Sequence, residues 1–130
     1  MADKRILIVE DTIENLRLFR AILQLEDAIV LQAERALKGI EIARSELPDV
    51  ILMDMQMPEM DGLTAIRILR ADPLTQHIPI IVITASAMNE DRQRAQQAGC
   101  NGYITKPVDP ASFGSQIVAF MQVAPAASEL

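Results

Sequence analysis

Four short apolar runs end in polar residues of complementary chemistry: Glu10 and Asp11 after Ile6 to Val9, Asp54 after Val50 to Met53, Thr84 after Ile80 to Ile83, and Lys106 after Gly102 to Thr105. Phosphoryl transfer asks a protein for an in-line nucleophile and for cations or donors on the phosphoryl oxygens, and for little else. Asp54 can be the nucleophile, forming an aspartyl phosphate. Thr84 offers a hydroxyl donor and Lys106 an ammonium. Three carboxylates gathered together disfavour one another's ionised form unless a cation joins them. A hard divalent ion with oxygen ligands suits that set, and Mg²⁺ takes one or two carboxylates plus phosphate oxygens while keeping several waters. Each residue alone has a plain structural role: Glu10 or Asp11 as a helix cap, Asp54 as a strand terminator, Thr84 as a strand residue, Lys106 as a surface lysine. Those roles do not explain why polar groups end four strands on one side.

The elements that must position them follow from periodicity. Five β-branched runs, the four above and Ile29 to Leu31, alternate with helical patterns. In chain order the first, third and fourth runs, Ile6 to Val9, Val50 to Met53 and Ile80 to Ile83, are continuously apolar, as strands covered on both faces require, which places them at the centre of a parallel sheet. Ala36, Ile40, Ala43 and Leu47 form one helical stripe, and Phe113, Ile117, Phe120 and Met121 another. Asp109-Pro110 reads as an N-cap followed by proline at the first helical position, and Gly99 as the cap that ends a helix over 88–98. That helix has a thin apolar face of Met88, Ala95 and Ala98, so it is expected to be loosely held. The prediction is an α/β fold, a (βα)₅ doubly wound parallel sheet with strand order 2-1-3-4-5. In such sheets ligands bind beyond the carboxyl ends of the strands, where the chemistry-bearing residues lie.

With 130 residues the chain is the size of one domain, half its residues are hydrophobic, and its net charge is −6. The acidity, with no basic cluster to offset it, argues against a grip on nucleic acid, so no direct DNA binding is expected. Cys100 is the single cysteine, which excludes an internal disulfide and a CxxC motif and fits a reducing compartment. The first apolar run is too short for a signal-peptide core or a membrane span; the expectation is a cytoplasmic protein that does not enter membranes. Residues 1–122 read as one domain, and 123–130, proline-interrupted at Pro125, as a frayed tail. His77 reads as a loop residue and Cys100 as a small packed side chain.

Over residues 4–122 the sequence resembles the receiver domains of bacterial response regulators, the CheY-like family. The likeness rests on Ile6-Leu7-Ile8-Val9-Glu10-Asp11, on Asp54-Met55-Gln56-Met57-Pro58-Glu59-Met60-Asp61-Gly62, on Thr84-Ala85 and on Lys106-Pro107, in the family's order and spacing. The strand order above is also that of CheY itself. The resemblance implies a phosphorylation-dependent switch of a two-component phosphorelay, not an enzyme beyond its own phosphorylation and dephosphorylation. Asp54 would take its phosphoryl group from a histidine kinase or a histidine phosphotransfer protein. Asp11, Asp54 and the backbone carbonyl of Gln56 would bind Mg²⁺, with Glu10 acting through a metal-bound water. Thr84 and Lys106 would sense the phosphoryl group, Lys106-Pro107 would be a cis peptide that aims the lysine back into the site, and Tyr103 would be the switch aromatic. The phosphodonor would dock on the first helix, beginning Ile13, Asn15 and Leu16, and on the Pro107 loop. The face of helix 4, strand 5 and helix 5 would address a downstream protein, and would serve a homodimer if one forms. Because no output domain follows residue 122, the signal is expected to leave by protein contact. Glu10-Asp11 with Asn15 is nearest to receivers of hybrid kinases and single-domain DivK-type regulators. Glu26-Asp27-Ala28 stands where the family commonly has a glycine before strand 2, and Gln56 and Ser86 occupy positions that in the family influence hydrolysis.

Three other readings fit less well. A haloacid-dehalogenase-type aspartyl phosphatase needs a second aspartate two residues after the nucleophile as acid/base, and Gln56 cannot transfer protons. A flavodoxin-like cofactor carrier needs phosphate donors near strand 1, where Val9-Glu10-Asp11-Thr12 is acidic. A receiver-like interaction module that is never phosphorylated would be expected to have lost acidic residues or the lysine; all are present here.

Overall fold

The structure, a computed structural model, describes residues 1–123; the tail expected over 123–130 lies, apart from Val123, outside the described residues. The chain alternates β1 (Arg5–Val9), α1 (Ile13–Gln24), β2 (Ile29–Ala33), α2 (Ala36–Glu46), β3 (Val50–Met53), α3 (Gly62–Ala71), β4 (Ile80–Thr84), α4 (Asn89–Ala98), β5 (Gly102–Thr105) and α5 (Phe113–Met121). All strand pairs are parallel and the order is β2-β1-β3-β4-β5, as the apolar runs required.

Because successive strand side chains point to opposite faces, the apolar runs feed two cores. Leu7, Val9, Ile51, Met53, Ile80 and Val82 pack with α2, α3 and α4, joined there by Tyr103. Ile6, Ile8, Val50, Leu52, Ile81 and Ile83 pack with α1 and α5, where the Phe19 and Phe113 rings lie 5.4 Å apart. Cys100 is buried in the first core, and burial pushes its thiol up to about 11.

The local departures from expectation have physical causes. β2 runs two residues beyond the apolar run, because its exposed positions tolerate Gln32 on the sheet edge. Leu47 leaves the inner face of α2: it is the C-cap, with φ 47°, and is 47% exposed. Met88 likewise lies outside the apolar face of α4, as its N-cap, and only Ala95 and Ala98 of that helix are buried. Asp109-Pro110 does not open α5. The N-cap is Ser112, and Asp109 instead caps a preceding turn, accepting from the Ala111 N–H at 3.1 Å and the Ser112 hydroxyl at 3.1 Å. Gly99 does end α4, at φ 111°. Where a glycine was missing before strand 2, Asp27 takes the left-handed conformation itself, at φ 63°.

Arg70 ties α3 to the far end of α4. Its guanidinium donates to the carbonyls of Gly99 (2.9 Å), Gln76 (3.0 Å) and Ile78 (2.7 Å), and to Asn101 Oδ1 at 2.7 Å. Asn101 in turn accepts from the Ile80 N–H and donates to the Val123 carbonyl. No helix among the described residues is long and apolar enough to cross a membrane.

Candidate functional site

The parallel register carries β1, β3, β4 and β5 to a common edge, so their last residues and the loops beyond them meet there. Carboxylate oxygens of Glu10, Asp11 and Asp54 lie within 4.8 Å of one another. Glu10 and Asp54 are buried, at 1% and 6% exposure, while Asp11 opens to solvent. Lys106 reaches in from beyond β5, its Nζ 2.7 Å from Glu10 Oε1 and 3.5 Å from Asp54 Oδ2. The Lys106–Pro107 peptide is cis. Thr84 ends β4 beside Thr105 and is buried on the face that also carries Val82 and Tyr103.

Backbone donors fix the carboxylates. The Thr12 N–H donates to Glu10 Oε2 at 3.1 Å and the Gln56 N–H to Asp54 Oδ1 at 3.2 Å. Gln56 thus meets Asp54 through its amide, while its side chain is exposed. Glu10 Oε1 is buried without a hydrogen-bond partner, so its pairing with Lys106 is ionic and poorly aligned. Asp54 feels the crowding: burial and then the Glu10 charge push its carboxyl up from 3.8 to about 6, against the opposing pull of Lys106 and the Gln56 N–H. An all-oxygen set in which buried Glu10 Oε1 accepts no hydrogen bond fits a hard divalent cation.

The loop after β3 is held by two devices that sequence reading passed over. Gly62 opens α3 against the Asp54 backbone, and a Cβ there would stand 2.3 Å from the Asp54 carbonyl oxygen. The Asp-Gly step was the available signal, since Asp61 caps α3 by accepting from the Thr64 N–H at 2.8 Å. Glu59 sits at φ 72° between the Pro58 carbonyl and the Met60 N–H that bonds it at 2.8 Å, the rarer and more strained form of γ-turn. Its carboxylate pairs with Arg35, the N-cap residue of α2, at 3.2 Å.

Beyond β4, Ser86 gathers the next layer. Its N–H donates to Thr84 Oγ1 at 3.3 Å, its hydroxyl donates to Asp91 of α4, and its carbonyl accepts from the Tyr103 hydroxyl at 2.9 Å. Arg92 Cζ stands 4.7 Å from the Tyr103 ring centroid. All the residues expected from sequence at the site, Glu10, Asp11, Asp54, Gln56, Thr84 and Lys106, are therefore at one edge, with Tyr103 one layer behind. Asp91 and Arg92 were legible only as parts of a polar helix.

Comparison with known proteins accords with this arrangement. Residues 6–117 match the response regulator receiver domain. The polar-differentiation response regulator DivK of Brucella anthropi is 37% identical over 118 residues, covering 91% of this chain and 96% of that protein. A crystal structure of the receiver domain of a sensor histidine kinase from Pseudomonas aeruginosa, with a magnesium ion coordinated in its active site cleft, superposes with a TM-score of 0.85 at 32% identity, covering 92% of this chain and 98% of that one. A CheY-like receiver domain protein of Methanospirillum hungatei gives a TM-score of 0.84 at 29% identity, covering 92% and 94%. The edge-on carboxylates, the lysine opposite them and the five-stranded sheet beneath thus have a family, and the chain belongs to it: the receiver domains of two-component response regulators, which are signalling switches.

Proposed function

We propose that Asp54 accepts a phosphoryl group from a phosphohistidine donor, a histidine kinase or a histidine phosphotransfer protein, and that the aspartyl phosphate resets the α4–β5–α5 face toward a partner protein. The observation that carries this reading is the meeting of Glu10, Asp11 and Asp54 within 4.8 Å, with Lys106 Nζ 3.5 Å from Asp54 Oδ2. A carboxylate oxygen of Asp54 attacks phosphorus, the P–O bond forms as the P–N bond to imidazole breaks, and the imidazole leaves with the electron pair and takes a proton from solvent. Asp11, Asp54 and the Gln56 carbonyl would hold Mg²⁺, with Glu10 acting through a bound water. When bound, the ion supplies positive charge to the phosphoryl oxygens. Lys106 provides a second positive charge, released in part from Glu10, and Thr84 a hydroxyl donor. The Gln56 N–H keeps Asp54 oriented. The chain catalyses only the formation and loss of its own aspartyl phosphate.

Residues 1–122 form the receiver unit in this reading. The donor docks on α1 and the Pro107 loop; Ile13 is 49% exposed at the start of that helix. The output runs through Thr84 and Tyr103, since Ser86 touches both. Incubation with Mg²⁺ and acetyl phosphate should add the mass of one phosphoryl group, base-labile and acid-stable, to the parent and not to Asp54→Asn. Failure of the parent to gain it would leave an interaction module that works without phosphorylation.

A further inference from the structure

The loop between β3 and α3, residues 55–61, carries Gln56 and is tied down unevenly. At its base the Gly62 N–H donates to the Met55 carbonyl at 2.9 Å, which closes the loop, and Asp61 caps α3. Met57 and Met60 are half-buried against the core. At its tip Pro58 and Glu59 are exposed, and Glu59 stands at φ 72°, where a glycine would be free of strain and a glutamate is not. What a glutamate adds there is a carboxylate, and that carboxylate meets Arg35 at 3.2 Å. Among the described residues it is the one polar side-chain contact that joins this loop to a distant part of the chain, 24 residues away.

The other end of the pair is firmly based. Arg35 is the N-cap residue of α2 in extended backbone, φ −140° and ψ 154°, and its side chain caps nothing, so the guanidinium is available to another element. Two residues earlier the Ala33 carbonyl accepts from the Glu10 N–H at 3.0 Å. Helix α2 itself lies close on β1, where a Cβ on Gly39 would stand 2.7 Å from Val9 Cγ2. Arg35 is thereby fixed to the strand that leads into Glu10 and Asp11, while Glu59 belongs to the loop that follows Asp54 and bears Gln56. One ion pair spans the two segments that supply the carboxylate set.

We propose, on the reading that Asp11, Asp54 and the Gln56 carbonyl bind Mg²⁺, that Arg35 and Glu59 are positioning residues for the ion. Their pair braces the 55–61 loop against the start of α2, and the strained turn at Glu59 serves to deliver its carboxylate to Arg35. A brace raises the fraction of chains whose loop is ready for the ion, and apparent affinity follows that fraction. Both side chains are more than half exposed, so the pair shifts the fraction only about two- to five-fold.

Calorimetric titration with Mg²⁺ of the parent, Arg35→Met and Glu59→Gln tests the brace, because a brace and a local field predict different signs. Through the field alone, loss of the Arg35 cation would tighten Mg²⁺ binding and loss of the Glu59 anion would loosen it. With a brace both variants bind Mg²⁺ about two- to five-fold more weakly. The double variant is then no weaker than the weaker single, and the exchanged pair Arg35→Glu with Glu59→Arg recovers part of the loss. In chelator, hydrogen exchange at the Met60 and Gly62 amides, which bond within the loop, should quicken in both single variants. Glu59→Gly separates positioning from stability: its urea midpoint should rise while its Mg²⁺ affinity falls, a combination that a merely structural role does not produce. Both positions are exposed, so the substitutions leave the core intact. Affinity changes of opposite sign in the two single variants, parental affinity in both, or unchanged loop exchange would overturn the brace while the parent still binds the ion. A parent that binds no Mg²⁺ would refute the metal reading itself, and the brace with it.

Discussion

Replacing Asp54 by asparagine should stabilise the metal-free protein at neutral pH and leave it almost unchanged in acid. The carboxyl is 6% exposed and is pushed up from 3.8 to about 6, first by burial and then by the Glu10 charge. A carboxyl whose folded value lies above its unfolded one binds more protons in the native state, so its ionisation removes stability as pH rises from 3.8 through about 6. The interval is about two pH units, and at 1.36 kcal/mol per unit the cost above it is roughly 3 kcal/mol. For a chain of this length that corresponds to roughly 10 °C in Tm. Urea unfolding followed by circular dichroism, in chelator, should therefore give parent and Asp54→Asn alike at about pH 3.5 and diverging through about pH 6 to a constant gap. Saturating Mg²⁺ should then raise the parent toward the variant and leave the variant where it was, since only the parent gains by binding. A gap that is absent at neutral pH, or that narrows as pH rises, would refute the reasoning.

Further substitutions probe the scaffold around the site. Lys106→Met removes the cation facing buried Glu10 and Asp54 and should cost roughly 3 kcal/mol in the metal-free protein by urea unfolding, because a buried charge loses its partner. Gly62→Ala places a Cβ 2.3 Å from the Asp54 carbonyl oxygen and should cost about 1–3 kcal/mol while weakening Mg²⁺ binding by calorimetry; an unchanged Mg²⁺ affinity would separate the loop from the metal. Arg70→Ala strands the carbonyls of Gly99 and Ile78 and should cost about 2–3 kcal/mol, with faster hydrogen exchange of the α4 amides than of the α1 amides. Glu59→Gly relieves a residue at φ 72° and should gain about 1 kcal/mol, less the small contribution of its exposed pair with Arg35, as read from the urea midpoint.

The sheet was legible because a strand buried on both faces must be apolar at every position, and β1, β3 and β4 are. Edge strand β2 obeys a looser rule, since its burial is partial, and its end at Ala33 passed unnoticed behind Gln32. The meeting of Asp54, Lys106 and Thr84 was legible because residues that end parallel strands share an edge whatever the loops do. Helix ends were less so. Leu47 and Met88 fit an apolar periodicity yet serve as caps, because α2 ends one residue before the pattern does and α4 begins one residue after it. Asp109-Pro110 is sound turn chemistry that opens a turn and not the helix. Long-range polar contacts leave no periodic trace at all: Arg70 meets Gly99 and Asn101 across 29 and 31 residues, and Ser86 meets Tyr103 across 17.

Buried Cys100 has a practical consequence for anyone following this switch in real time. Its thiol is 4% exposed and pushed up to about 11, so at neutral pH the thiolate is scarce and sheltered, and maleimides or nitroxide reagents should pass it by. The natural chain is therefore already a blank background for site-directed labelling. A cysteine placed at exposed Gln93 would carry a spin or fluorescent reporter onto α4 without removing any native side chain from the core.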